Sequence, residues 1–262
     1  MTQVTSPATT EPPAGEPPIG EPSIGEAPIG EAPTGEAPTG EPPAGEFPTG
    51  KFPTGPRRAS RLVPAGLIVL SAVPVVAGAL RLTALAGGPD VMPEGARFAA
   101  VPLPVVAHIV AATVYTVLGA FQFGGRRPPA RHRLMGRILL PCGLVVALSG
   151  LWMTLYYPRP AGDGDLLAAF RLGFGSAMAA ALVLGLAAVL RRDFTGHRAW
   201  MTRAYAIALG AGSQAVITGI WVAFAGPPGE TARALLLGAG WAVNLAVAEL
   251  VIRRPRRRRV SA

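Results

Sequence analysis

Six apolar stretches, at about residues 62–86, 101–124, 138–158, 166–190, 204–226 and 231–252, leave this chain few ways to fold. A helix needs roughly 20 apolar residues to cross about 30 Å of hydrocarbon, and each stretch meets that length. The stretches are too long and too uniformly apolar for barrel strands, whose two faces alternate. Helices also satisfy their own backbone polar groups in lipid. The expected fold is therefore all-α, a six-helix transmembrane bundle. Charged residues make up 15% of the chain, against about 25% in soluble domains.

The arginines set how such a chain threads. Of 24 basic residues, all but Lys51 are arginine. Beyond Lys51 the acids are Asp90, Glu94, Asp163, Asp165, Asp193, Glu230 and Glu249. With one crossing per stretch, 18 arginines fall on one side and five, Arg81, Arg97, Arg159, Arg171 and Arg233, on the other. Arginine-rich loops stay in the cytoplasm, so both termini are expected there. The net charge of +9 could suggest nucleic acid, but the basic residues sit at the ends of apolar runs. That placement points to the lipid bilayer and its anionic head groups, each arginine contributing about 1 kcal/mol.

Ahead of the membrane domain, residues 11–55 are nine pentapeptides of the form Glu-x-Pro-x-Gly, with Ser23 alone breaking the proline column and Lys51 opening the last copy. Proline at this spacing denies helix and ladder hydrogen bonds, and little in the repeats can be buried. The expectation is a disordered, acidic, polyproline-like arm over residues 1–56, followed by the membrane domain over 57–262. The first sixty residues contain no apolar core of signal-peptide length, so the first hydrophobic stretch is expected to act as an internal signal-anchor.

Two basic connectors carry the same skeleton. Arg126-Arg127 precede His132-Arg133 by the spacing at which Arg191-Arg192 precede His197-Arg198, and the two copies are 65 residues apart. In the second stretch His108, Tyr115 and Gln122 recur every seven residues, so all three share one helix face. A polar stripe in lipid is costly and should face other helices or a cavity. It reads either as a proton path, ligand site or axial haem position, or as a set of interhelical hydrogen bonds. His132 and His197, at matched helix ends, could ligate a b-type haem, with His108 as a further candidate and Arg133, Arg137, Arg198 or Arg203 meeting its propionates. The other reading is that these His-Arg pairs bind phosphates at the water–lipid boundary.

Other chemistry has little to stand on. Cys142 is the single cysteine and has no neighbour at metal-ligand spacing. No Walker loop, Gly-x-Ser-x-Gly or HExxH occurs, so no catalytic residue and no metal site is assigned. Glu249 stands one turn before Arg253, an i,i+4 pair that would help neutralise it. Small residues, among them Gly173, Gly175, Gly210 and Gly212, suit close helix packing, and Pro74 and Pro141 are expected to kink their helices.

The run His132-Arg133-Leu-Met-Gly136-Arg137, preceded by Gly119-Ala-Phe-Gln122-Phe, and the later His197-Arg198-Ala-Trp200-Met201-Thr-Arg203-Ala-Tyr205 resemble the bacterial membrane proteins grouped as domain of unknown function 2306. The resemblance covers about residues 100–225, and the second motif is the more specific. It implies a multi-pass membrane protein with no assigned reaction, and it draws Trp200 and Arg203 into the set to watch alongside His108. The chain departs from the pattern at Leu139, where an aromatic is expected, and at Ala204, where serine is expected.

The expected functional surface is thus the cytoplasmic mouth. Tyr115, Gln122, Arg133, Arg137, Arg198, Trp200 and Arg203 are its candidate ligand-binding residues, for a small solute or an anionic lipid. The alternative is a haem-binding electron carrier using His132 and His197.

Overall fold

In a computed structural model of the chain, residues 59–91, 95–123 and 128–254 are described. The pentapeptide arm, Arg57, Arg58, Arg126, Arg127 and the arginines at 256–259 lie outside the described residues. Among the described residues the regular structure is entirely helical: α1 (Ala59–Leu85), α2 (Leu103–Ala120), α3 (Pro129–Tyr156), α4 (Asp165–Leu190), α5 (Phe194–Ala208), α6 (Gly210–Ala225) and α7 (Glu230–Arg253). Short 3-10 turns lie before and after α2, at Gly95–Phe98 and Phe121–Phe123.

Five of these helices are long and apolar enough to cross a membrane, and a sixth crossing results when α5 and α6 are taken as one span bent by 41°. The contacts along α7 support that count. From one end of α7 to the other, Glu249 meets Arg203 of α5, Asn244 meets both Ala206 of α5 and Ser213 of α6, and Leu237 meets Gln214 of α6. Helices α5 and α6 therefore run antiparallel to α7 in succession, as one broken crossing.

Two boundaries differ from the hydropathy reading. The third span begins at Pro129, about three turns before the apolar stretch, because Pro128 and Pro129 stand where a helix can begin and the arginines that follow need not enter lipid. The fifth begins at Phe194, where Asp193 caps α5 by accepting the backbone N–H of Gly196 at 2.8 Å. Both histidine connectors thus form first turns of helices. Arg192, with φ 61°, makes the left-handed turn that lets α4 double back into α5.

Pro74 and Pro141 lie inside helices that continue past them. Hydroxyls within the helices turn back on their own backbone: Ser71 to the carbonyl of Leu67, Thr116 to Ala112, Thr154 to Gly150 and Thr202 to Arg198. This satisfies a polar group without a partner helix. The core gathers Tyr115, Leu139, Met178, Leu182, Ala204 and Tyr205. Large apolar side chains such as Leu148, Val183, Phe224 and Leu250 stay exposed, as a lipid-facing surface requires and a soluble one would not.

Charge divides the two ends of the bundle. The starts of α3 and α5 and the ends of α4 and α7 carry Arg131, Arg133, Arg137, Arg191, Arg192, Arg198 and Arg253, and form the basic end. The opposite, mixed end pairs its arginines with acids: Arg81 with Asp90, Arg159 with Asp165, and both Arg171 and Arg233 with Asp163.

Candidate functional site

At the basic end, the first turns of α3 and α5 bring the two repeated histidines together. The rings of His132 and His197 are 6.4 Å apart between centroids and nearly perpendicular, at 88°. Each ring is tied back through Nδ1. His197 reaches the backbone carbonyl of Gly185 on α4 at 2.8 Å, and His132 reaches Oε1 of Gln122 at 2.8 Å. An amide oxygen only accepts, so Nδ1 carries the proton in both rings and the neutral form leaves Nε2 with its lone pair. The Gly185 carbonyl is a partner that no sequence motif points to. Gly185 also leaves room for α5, because a Cβ there would lie 3.3 Å from Trp200 Cβ and would displace the flexible end of Met201.

The other candidates at this end divide by environment. Arg133, Arg137 and Arg198 are exposed around the histidine pair. Arg203 instead turns to α7, where its Nε and Nη2 donate to the two carboxylate oxygens of Glu249 at 2.6 and 3.1 Å. Its guanidinium carbon lies 4.7 Å from the centre of the Trp200 ring, a cation–π contact. Arg253, the i,i+4 partner expected from the sequence, stands farther from Glu249 at 3.6 Å. Arg203, braced by Trp200 on the same helix, thus joins α5 to α7 a few residues beyond the histidine pair.

The seven-residue stripe on α2 does share one face, and that face meets α3. His108 Nδ1 bonds Ser149 Oγ at 2.9 Å, Tyr115 packs where a Cβ on Gly143 would lie 2.7 Å from its ring, and Gln122 holds His132. The three contacts step along α3 in reverse order, the register of two antiparallel helices. Tyr115 is enclosed in the core beside Tyr205, whose hydroxyl donates to the carbonyl of Thr116 at 2.7 Å. His108 stands apart from the other two histidines. Its partner Ser149 is 17 residues along α3 from His132, about 25 Å at ~1.5 Å per residue.

At the mixed end the structure assembles a group whose pairing cannot be read from sequence spacing. The Asp163 carboxylate, 1% exposed, receives Arg233 from α7 and Arg171 from α4, each at 2.7 Å. Burial by itself would raise the carboxyl pKa, but the two guanidiniums more than offset it and hold Asp163 below the usual carboxylate range. Among the described residues no group of three or more histidine, cysteine or acidic side chains could hold a metal ion.

A family model described as predicted membrane protein (DUF2306) matches residues 105–252, more than half of the chain and from α2 through α7. No curated protein and no solved structure matches it.

Proposed function

We propose, from the premise that this chain belongs to the DUF2306 family of predicted membrane proteins, that it binds a small anionic solute or acidic lipid head group between His132 and His197. In this reading the protein lies in a bacterial cytoplasmic membrane with the basic end and both termini inside, the side to which the larger number of arginines falls. The observation that carries the reading is the histidine pair itself: two imidazoles across one gap, each held in place by a hydrogen bond at Nδ1. Helices α3 and α5 both start here, so their backbone N–H ends add positive potential at the gap. Arg133, Arg137 and Arg198 supply mobile positive charge around it, while Arg203 serves α7.

The test is retention of phosphatidylglycerol, and separately binding of inorganic phosphate, by protein in neutral-lipid nanodiscs. The double variant His132→Ala/His197→Ala should lose most of the specific binding. Arg198→Ala should weaken it roughly fivefold, the equivalent of about 1 kcal/mol. Binding equal to wild type in both variants would overturn the proposal.

A second reading has one observation in its favour. In the neutral form each Nε2 has a lone pair, and the Nδ1–H···O=C bonds are the support that metal-ligating imidazoles use. A b-type haem could take both as axial ligands, without His108. A reduced-minus-oxidised difference spectrum of purified protein from haem-replete cells decides it, since this reading requires a haem band that His197→Ala removes.

A further inference from the structure

A sizeable cavity lies away from the histidine pair. It has a volume of about 350 Å³ and reaches from the mixed end into the middle of the bundle, between α2, α3, α4, α7 and the α5–α6 break. On α3 its lining runs from Tyr157 to Val146, about 16 Å at ~1.5 Å per residue, or half of a hydrocarbon core of about 30 Å. Small residues hold the space open: Ala147 and Gly150 on α3, Gly175 on α4, and Ala208 and Ala211 on either side of the break. A cavity of this size lies in the range of small-molecule sites, about 300–1,000 Å³.

Its chemistry is graded along its length. The charged residues lining it are Arg97 and Arg171, both near the mouth. Both are oriented by neighbours: Arg97 donates to the Pro158 carbonyl at 3.3 Å and lies 4.4 Å over the Phe98 ring, and Arg171 is held by Asp163. Asp163 pairs with Arg171 but is not among the residues that line the cavity. Deeper in, His108 Nδ1 is bonded to Ser149 and Gln214 Nε2 to the Leu237 carbonyl, so one polar atom of each is engaged by the protein. The rest of the deep wall is Met178, Ile207, Leu237 and Trp241.

Two guanidiniums at the mouth, one of them sharing a single carboxylate with Arg233, no acid among the described lining residues and an apolar shaft describe a complement. We infer that this cavity binds an anionic amphiphile, its carboxylate or phosphate head at Arg97 and Arg171 and its chain running down toward Trp241. The inference stands apart from the histidine-pair reading, whose residues lie at the other end.

The depth of Trp241 supplies the assay. Purified full-length protein in neutral-lipid nanodiscs is titrated with undecanoate brominated at its far end, because bromine quenches tryptophan on contact. The matching alkyl phosphate, alcohol and trimethylammonium serve as further arms. At least one of the two anions should quench saturably and roughly tenfold more tightly than the alcohol, and the cation should not compete. The acid arm alone indicates a fatty-acid-like ligand, and the phosphate arm alone a lipid-like one. Arg97→Gln should erase the preference for the anion over the alcohol. Ala211→Phe, which fills the shaft without touching a charge, should abolish saturable quenching while the protein elutes as wild type in size exclusion. Trp241→Phe should remove most of the signal. Equal affinity for acid and alcohol, or unchanged quenching in Ala211→Phe, would overturn the inference.

Discussion

At Asp163 one carboxylate pairs with guanidiniums from two different helices, and its value follows from what its loss would strand. Removing one partner from a fully buried ion pair costs roughly 3–5 kcal/mol. Here Arg171 and Arg233 remain 31% and 37% exposed, so water recovers part of that. We expect Asp163→Asn to destabilise by about 2 kcal/mol, seen as a lower thermal unfolding midpoint in detergent. The pH dependence has a fixed sign. The folded carboxyl is held below its unfolded value, about 3.9, so its contribution is complete above that value and is lost as pH falls through the folded pKa. Thermal stability should therefore show an acid step below about pH 4 that Asp163→Asn lacks. A step of equal size in the variant would assign it to another group. The sequence supplies the charges of this group, but 70 residues separate Asp163 from Arg233, and only the packing of α4 against α7 reveals which acid serves which base. Glu249 is a similar case: its near neighbour Arg253 was legible, whereas the closer partner, Arg203, sits 46 residues away.

Among the helices, the broken fifth span tests the packing most directly. A Cβ on Gly212 would lie 2.1 Å from the backbone carbonyl oxygen of Leu70, so α6 would have to move off α1, whereas a Cβ on Gly219 in the same helix meets nothing within 4 Å. Gly212→Ala should cost about 1–3 kcal/mol, the usual range for overpacking, while Gly219→Ala should leave the unfolding midpoint nearly unchanged. Equal effects would mean that helix propensity, not contact with α1, governs both sites. Asn244 gives a second measurement. Its side chain donates to the Ala206 carbonyl and accepts from Ser213, spanning the break, and Asn244→Leu should cost about 0.6–1.7 kcal/mol in the same assay. The six apolar stretches were plain in the sequence because charge is expelled from hydrocarbon. The break at Leu209 was not, because Ala-Leu-Gly-Ala-Gly is apolar throughout and hydropathy does not register a bend. Small residues at 210 and 212 signalled close packing, and that is what they provide, Gly210 against Trp241 and Gly212 against α1. The early start of α3 was missed for the opposite reason: its first turns are rich in arginine, and an apolar window excludes them although a proline start announces a helix.

The molecule as a whole has a basic end and a mixed end, and the proposed orientation places the first inside. With Cys142→Ser as background, since Cys142 is the chain's single cysteine, Pro227→Cys should react with a membrane-impermeant maleimide on intact cells, and Thr195→Cys only after lysis. The reverse pattern would invert the orientation and move the histidine pair outside. Charge asymmetry made the division into a basic and a mixed end readable in advance, whereas the contact of His132 with His197 depends on how α3 packs against α5. The central cavity was not readable, because it is a space that six helices fail to fill, and no single stretch of sequence encodes a void. The bend in the fifth span has a mechanical corollary. On one side of it, α5 is fastened to α2 through Tyr205, to α4 through His197 and to α7 through Arg203, while α6 exposes Val216, Ile220 and Phe224 to the surroundings. The crossing is therefore anchored through α5 and the first turn of α6, which Ser213 and Gln214 tie to α7, while the bilayer can push on the later turns of α6. A change in membrane thickness should register as displacement of a spin label on Phe224 relative to one on Leu190, with labels on α5 and α4 keeping their spacing.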